Sequence, residues 1–109
     1  MEATKKTDIY VGLNDSETYQ QKFITEKYLS ILKTVCKNYG VAFSVSAING
    51  GYFHDNGTYV EENSLVLTLL DTEDSVIGEI AKDLCVFFHQ ESVMVVTSNV
   101  EMGFLSEKL

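Results

Sequence analysis

Apolar residues recur in this chain with two periods, one strand-like and one helical, and the order in which these periods alternate leaves few folds open. Ile9, Val11 and Leu13 alternate with Asp8, Tyr10 and Gly12, the pattern of a half-buried strand. Residues 14–17 follow as turn and capping residues. Ile24, Tyr28, Ile31, Leu32, Val35, Cys36 and Tyr39 then fall on one helical stripe, with Lys33 and Lys37 near its end and Gly40 as its cap. Val41, Phe43, Val45 and Ala47 alternate again, so a second strand is expected directly after Gly40, with a bulge or bend at Gly50-Gly51. Tyr52-Phe53-His54 and Thr58-Tyr59-Val60 flank Asp55-Asn56-Gly57, which predicts a hairpin.

A third strand is expected over residues 64–70. Thr72, Glu73, Asp74 and Ser75 cap and charge a second helix, whose stripe is Ile77, Ile80, Ala81, Leu84, Cys85 and Phe88 and which ends near His89. Residues 93–96 form another strand, and Val100, Met102 and Phe104 suggest a short extra one. The order β-α-β-β-α-β predicts an α+β fold of ferredoxin-like type, with an antiparallel sheet and both helices on one face. Residues 1–109 make a single domain, with residues 1–6 expected to be a disordered N-terminus.

Nothing approaches the roughly 18 consecutive apolar residues of a membrane span, and the polar opening Met1-Glu2-Ala3-Thr4-Lys5-Lys6 does not read as a signal peptide. A cytoplasmic location in a host cell, without membrane contact, is the expectation. Cys36 and Cys85 lie inside helical apolar patterns, with no CxxC spacing, and read as reduced, structural residues.

Two strands are apolar on both faces. Leu65, Val66, Leu67, Leu69 and Leu70 are interrupted only by Thr68, and Val93, Met94, Val95 and Val96 are continuous. Such strands are buried on both faces, so something must cover the side of the sheet that the helices leave open. A homodimer packed through Val66, Leu70, Met94 and Val96 meets that need with the chain alone. The C-terminal segment folding back, or a partner protein, would meet it too.

Charge separates the two halves of the chain. Residues 1–54 hold five acids and six lysines, whereas residues 55–109 hold eleven acids and two lysines, and arginine is absent throughout. That field repels phosphates and attracts basic protein surfaces, so direct nucleic-acid binding is not expected. Glu61, Glu62, Asp71, Glu73, Asp74, Glu79 and Asp83 would supply the charge of a docking surface, and Tyr52, Phe53 and Tyr59 its anchors.

Reactive constellations are sparse. His54 lies beside Asp55 and near Glu61 and Glu62, which would suit a metal site or an acid–base pair if more ligands converged. His89 closes the second helix, where a cation suits the helix dipole. There is no nucleophile elbow, no activated cysteine and no phosphate loop. Catalytic residues, a metal and a cofactor are therefore not expected.

Several stretches resemble an uncharacterised family of small bacterial domains met on phages and conjugative elements of Firmicutes. They are Asp8-Ile9-Tyr10-Val11-Gly12-Leu13, the hairpin Gly51-Tyr52-Phe53-His54 with Gly57-Thr58-Tyr59 and Glu62-Asn63-Ser64-Leu65, and Phe88-His89-Gln90-Glu91-Ser92-Val93. The resemblance implies a ferredoxin-like domain over about residues 7–97, without implying an activity. By size, acidity and context the chain also resembles anti-CRISPR and other anti-defence inhibitors, by analogy alone. The leading expectation is a non-enzymatic acidic binding protein that docks on the basic nucleic-acid-binding surface of a CRISPR effector or other defence nuclease. The alternative is a dimeric ferredoxin-like small-molecule binding domain or enzyme using His54 or His89.

Overall fold

A computed structural model describes residues 1–107. The elements are β1 (Glu2–Gly12), α1 (Thr25–Tyr39), β2 (Ser44–Phe53), β3 (Tyr59–Leu70), α2 (Asp74–Phe87) and β4 (Met94–Met102). The four strands form one sheet in the order β2-β3-β1-β4, with every neighbouring pair antiparallel. This is the ferredoxin-like α+β arrangement.

Parity decides which side chains are buried. Thr7, Ile9 and Val11 of β1 and Leu65, Leu67 and Leu69 of β3 are closed off from solvent on the helix side. In the register Ile9 lies opposite Leu67 and Val11 opposite Leu65, so the two central strands form one apolar floor. Helix α1 lays Tyr28, Leu32, Val35 and Cys36 on it, and α2 adds Ile77, Ile80 and Leu84, with Phe88 just beyond its end. Both cysteines are free, and burial pushes the Cys36 thiol up to about 11.

The even-numbered residues face away from the helices. Register puts Tyr10 between Val66 and Met94, Asp8 opposite Val96, and Lys6 opposite Leu70. Val66, Leu70, Met94 and Val96 therefore share the open face of the sheet. At its centre Thr68 donates to Asp8 Oδ1 at 2.6 Å, and Lys6 lies 3.7 Å from the other Asp8 oxygen.

The elements depart from the sequence expectation in five places. Residues 2–6 are not a disordered N-terminus but the first part of β1, because residues 98–102 of β4 pair with them. For the same reason there is no separate C-terminal strand among the described residues: Val100 and Met102 continue β4, and Phe104 lies past it. Strand β2 begins at Ser44 rather than next to Gly40. Gly50 and Gly51 stay in register with Glu62 and Glu61, without a bulge, and the Tyr59 side chain covers the site where Gly51 would carry a Cβ. Ile24 precedes α1 and is exposed.

Removing the Leu67 side chain opens a cavity in the centre of this floor. Leu67→Ala should lower unfolding free energy by about 2–5 kcal/mol in urea titration; a loss well under 1 kcal/mol would mean that the floor is not packed as described.

Candidate functional site

Residues 13–24 join β1 to α1, a long connection for so small a domain. Its fold is set by Asp15, whose side chain is only 4% exposed. Oδ1 of Asp15 accepts the N–H groups of Glu17 (2.8 Å) and Thr18 (3.2 Å). On the Oδ2 side stand Lys22 Nζ at 3.2 Å and His89 Nδ1 at 3.4 Å. The Glu17 N–H holds the Asp15 carboxyl below its ordinary value; burial opposes this, and Thr18 and Lys22 add to the lowering.

This carboxylate joins the loop to the end of α2. The Ser16 N–H donates to the His89 carbonyl at 3.0 Å, and Gln90 Nε2 donates to the Asn14 carbonyl at 2.6 Å. Tyr19 and His89 both have left-handed backbones, with φ of 58° and 52°. For non-glycine residues this costs about 1 kcal/mol or more each, so the surrounding bonds hold two strained residues on either side of one buried charge.

Between the loop, the hairpin and the segment that follows α2 lies a cleft of about 260 Å³, lined by Asn14, Asp15, Ser16, Tyr19, Tyr52, Val60, Glu62, Gln90, Glu91 and Ser92. Register puts Tyr52 opposite Val60 and Gly50 opposite Glu62, so Tyr52, Val60 and Glu62 project from the same face of the hairpin. Glu62 Oε2 accepts the Asn14 N–H at 3.0 Å, and its carboxylate lies over Gly12, where a Cβ would come within 2.4 Å of it. Glycine at position 12 thus leaves the room that Glu62 occupies. A smaller hollow of about 180 Å³, formed by Lys22, Phe23, Tyr28, Phe87, Phe88 and His89, backs onto the other side of Asp15.

The candidate residues from the sequence are dispersed. Tyr52 and Glu62 meet in the cleft. Phe53 and Tyr59 pair on the opposite face of the hairpin, ring centroids 5.2 Å apart, and Glu61 alternates away from Glu62. Asp71 lies in the turn after β3 with φ of 54°, Glu73 precedes α2, and Asp74 pairs with Lys5. Glu79 is exposed on α2, while Asp83 accepts the Tyr39 hydroxyl at 2.8 Å and, with burial, raises the Tyr39 pKa. His54 stands at the hairpin turn, and His89 contacts Asp15 from beyond α2. Among the described residues, no three histidines, cysteines or carboxylates converge as a metal site, and no helix is long and apolar enough to cross a membrane.

Sequence reasoning passed over Asn14, Asp15, Tyr19, Lys22, Gln90 and Glu91. The length of the β1–α1 connection was the available signal.

No protein-family model and no curated protein sequence matches the chain. Solved structures do. A phage SAM lyase in complex with S-methyl-5'-thioadenosine is similar at a TM-score of 0.65 and 20% identity, over 94% of this chain and 93% of that one. The GlnK–ATP complex of B. subtilis is similar at 0.59 and 12%, over 90% and 82%. The CutA divalent cation tolerance protein of Archaeoglobus fulgidus is similar at 0.59 and 11%, over 91% and 87%. These likenesses show the fold. They also correct the expectation that the chain is not an enzyme: the SAM lyase is an enzyme of the same architecture and nearly the same extent. The missing nucleophile elbow, activated cysteine and phosphate loop therefore do not exclude a reaction, since they test for other chemistries.

A carboxyl with a lowered folded-state pKa stabilises the fold above its unfolded value, near 4, and that contribution disappears as pH falls through the folded value. Wild type should therefore exceed Asp15→Asn in stability at pH 7, and the gap should close below about pH 4 in denaturant titrations. A gap independent of pH would show that the charge on Asp15 does not stabilise the loop.

Proposed function

We propose that the cleft beside Gly12 binds an adenine nucleoside bearing a sulfonium cation, S-adenosylmethionine or a close relative, and that the chain acts on it as a lyase. The lining of the cleft carries this reading. Glu62 and Glu91 stand there with Tyr19 and Tyr52, and the residues that form its wall include no lysine. Carboxylates attract a sulfonium and tyrosine rings accept a cation on their faces. The same carboxylates repel phosphates, so of the ligands found on neighbouring folds, ATP on GlnK and methylthioadenosine on the SAM lyase, the second suits this wall better.

Cleavage of the bond between sulfur and the methionine chain passes both electrons to sulfur, while the substrate's own carboxylate forms the new bond to the γ-carbon and the four-carbon fragment leaves as a lactone. Methylthioadenosine is the uncharged thioether that results. Attraction between sulfonium and Glu62 thus holds the substrate more tightly than this product, which favours release after the bond breaks. A phage enzyme among the structural neighbours is in keeping with the mobile-element setting that the sequence resemblance implies.

Binding can be measured without turnover. Sinefungin, with an amine-bearing carbon in place of the sulfonium, should bind at least about tenfold more tightly than uncharged S-adenosylhomocysteine, a gap of about 1.4 kcal/mol. Glu62→Gln should remove most of the gap in calorimetric titration. Gly12→Ala should do the same with little loss of stability, because its methyl takes the space of a flexible carboxylate. Equal affinities in wild type, or no binding of either compound, would refute the reading.

We propose in addition that the open sheet face pairs with a second copy. Leu70, Met94 and Val96 are exposed there beside Val66, an apolar patch of the kind that subunit contacts cover. Light scattering should give twice the 12.2 kDa chain mass, and Met94→Asp with Val96→Asp should halve it; a wild-type mass of one chain at tens of micromolar would exclude this pairing.

A further inference from the structure

The β2–β3 turn is built around His54. Its N–H donates to the Thr58 carbonyl at 2.9 Å, and its carbonyl accepts the Gly57 N–H at 2.8 Å. Gly57 closes the turn with φ of 86°, a conformation that suits glycine. The His54 ring is met edge-on by two tyrosines, Tyr52 at 5.5 Å between centroids and Tyr19 at 6.2 Å, with interplanar angles of 80° and 79°. The strained Tyr19 belongs to the loop that Asp15 organises, whereas Tyr52 and His54 come from the hairpin. Two separately fixed elements therefore assemble this three-ring corner.

Below it, Tyr19, His54, Asp55, Asn56 and Thr58 line an open hollow of about 500 Å³. Tyr19 also lines the carboxylate cleft, and Tyr52 lines that cleft while touching His54. Hollow and cleft thus share Tyr19, which stands between them. Their chemistry differs: the cleft side carries Glu62 and Glu91, and the hairpin side carries flat rings with amide, hydroxyl and carboxylate groups around them.

We infer that the hairpin hollow is the base-recognition half of the site, taking the adenine ring while the cleft takes the cation. The inference rests on the proposed sulfonium nucleoside. Tyr19, 68% exposed, offers a face for stacking, and His54 supplies a second ring at right angles. Asn56 Oδ1 accepts the Thr58 N–H at 2.9 Å, which orients the amide and leaves its NH₂ as a donor to a ring nitrogen. Asp55 and the Thr58 hydroxyl can accept from the exocyclic amine, the pairing by which an adenine edge is read.

Two probes separate the halves: sinefungin, which carries adenine and a cation, and S-methylmethionine, a sulfonium without a nucleoside. His54→Ala should weaken sinefungin about tenfold or more, the scale of one stacking contact, and leave S-methylmethionine affinity unchanged, whereas Tyr19→Ala, which removes a ring from the cleft as well, should weaken both. Glu62→Gln should weaken both. In proton NMR, adenosine should shift the ring signals of His54, identified by their loss in His54→Gln, and leave those of His89 in place. Unchanged sinefungin affinity in both ring variants, equal weakening of the two probes by His54→Ala, or an unmoved His54 signal would overturn the inference while the carboxylate cleft stands. Failure of wild type to bind either probe would remove both.

Discussion

Side-chain parity along β1 and β3 is the constraint from which the other features follow. Both strands must turn their odd-numbered residues to the helices, and the pairing of Ile9 with Leu67 is the register that does this for both at once. A slip by one residue would either send Leu65, Leu67 and Leu69 to the open face or draw Asp8 and Lys6 under the helices. The same register ends β1 at Gly12 opposite Ser64 and brings Glu62, two residues earlier on β3, over the strand's exit. The cleft therefore inherits its position from the core.

What shapes the cleft is polar and more costly to hold. Asp15 collects two backbone N–H groups and stands against Lys22 and His89, and Asn14 hands its N–H to Glu62 and its carbonyl to Gln90. One dipeptide thus connects β3, α2 and the loop. The left-handed backbones of Tyr19 and His89 are tolerated because these bonds fix their neighbours. Two of the three described non-glycine residues with left-handed backbones, Tyr19 and His89, thus lie beside Asp15, and the third, Asp71, lies in the turn after β3.

The architecture was legible in the sequence because it depends on periodicity. Ile9 to Leu13, the stripe from Tyr28 to Cys36 and the stripe from Ile77 to Phe88 encode their elements locally. The first turn of β1 was not, since Glu2 to Lys6 gain strand structure only from the far partner in β4. The site was less legible for the same reason. Asp15 looks like a turn residue until His89, 74 positions later in the chain, is folded against it. Charge counting misled differently: the tally of acids in the second half holds, but a tally has no direction, and Glu62, Asp74 and Asp83 are each engaged within the molecule.

Acidity on a small scaffold can serve a reaction as readily as an encounter with a basic protein, and the distinction lies in where the carboxylates point. Glu62 and Glu91 line a hollow together with Tyr19 and Tyr52, the setting that the proposed cationic nucleoside requires. The most direct measurement is chromatographic analysis of S-adenosylmethionine incubated with the purified chain. Methylthioadenosine accumulating well above a protein-free control, and falling to the control level with Glu62→Gln, is the result this account predicts. Formation at the control rate with wild-type protein would contradict it.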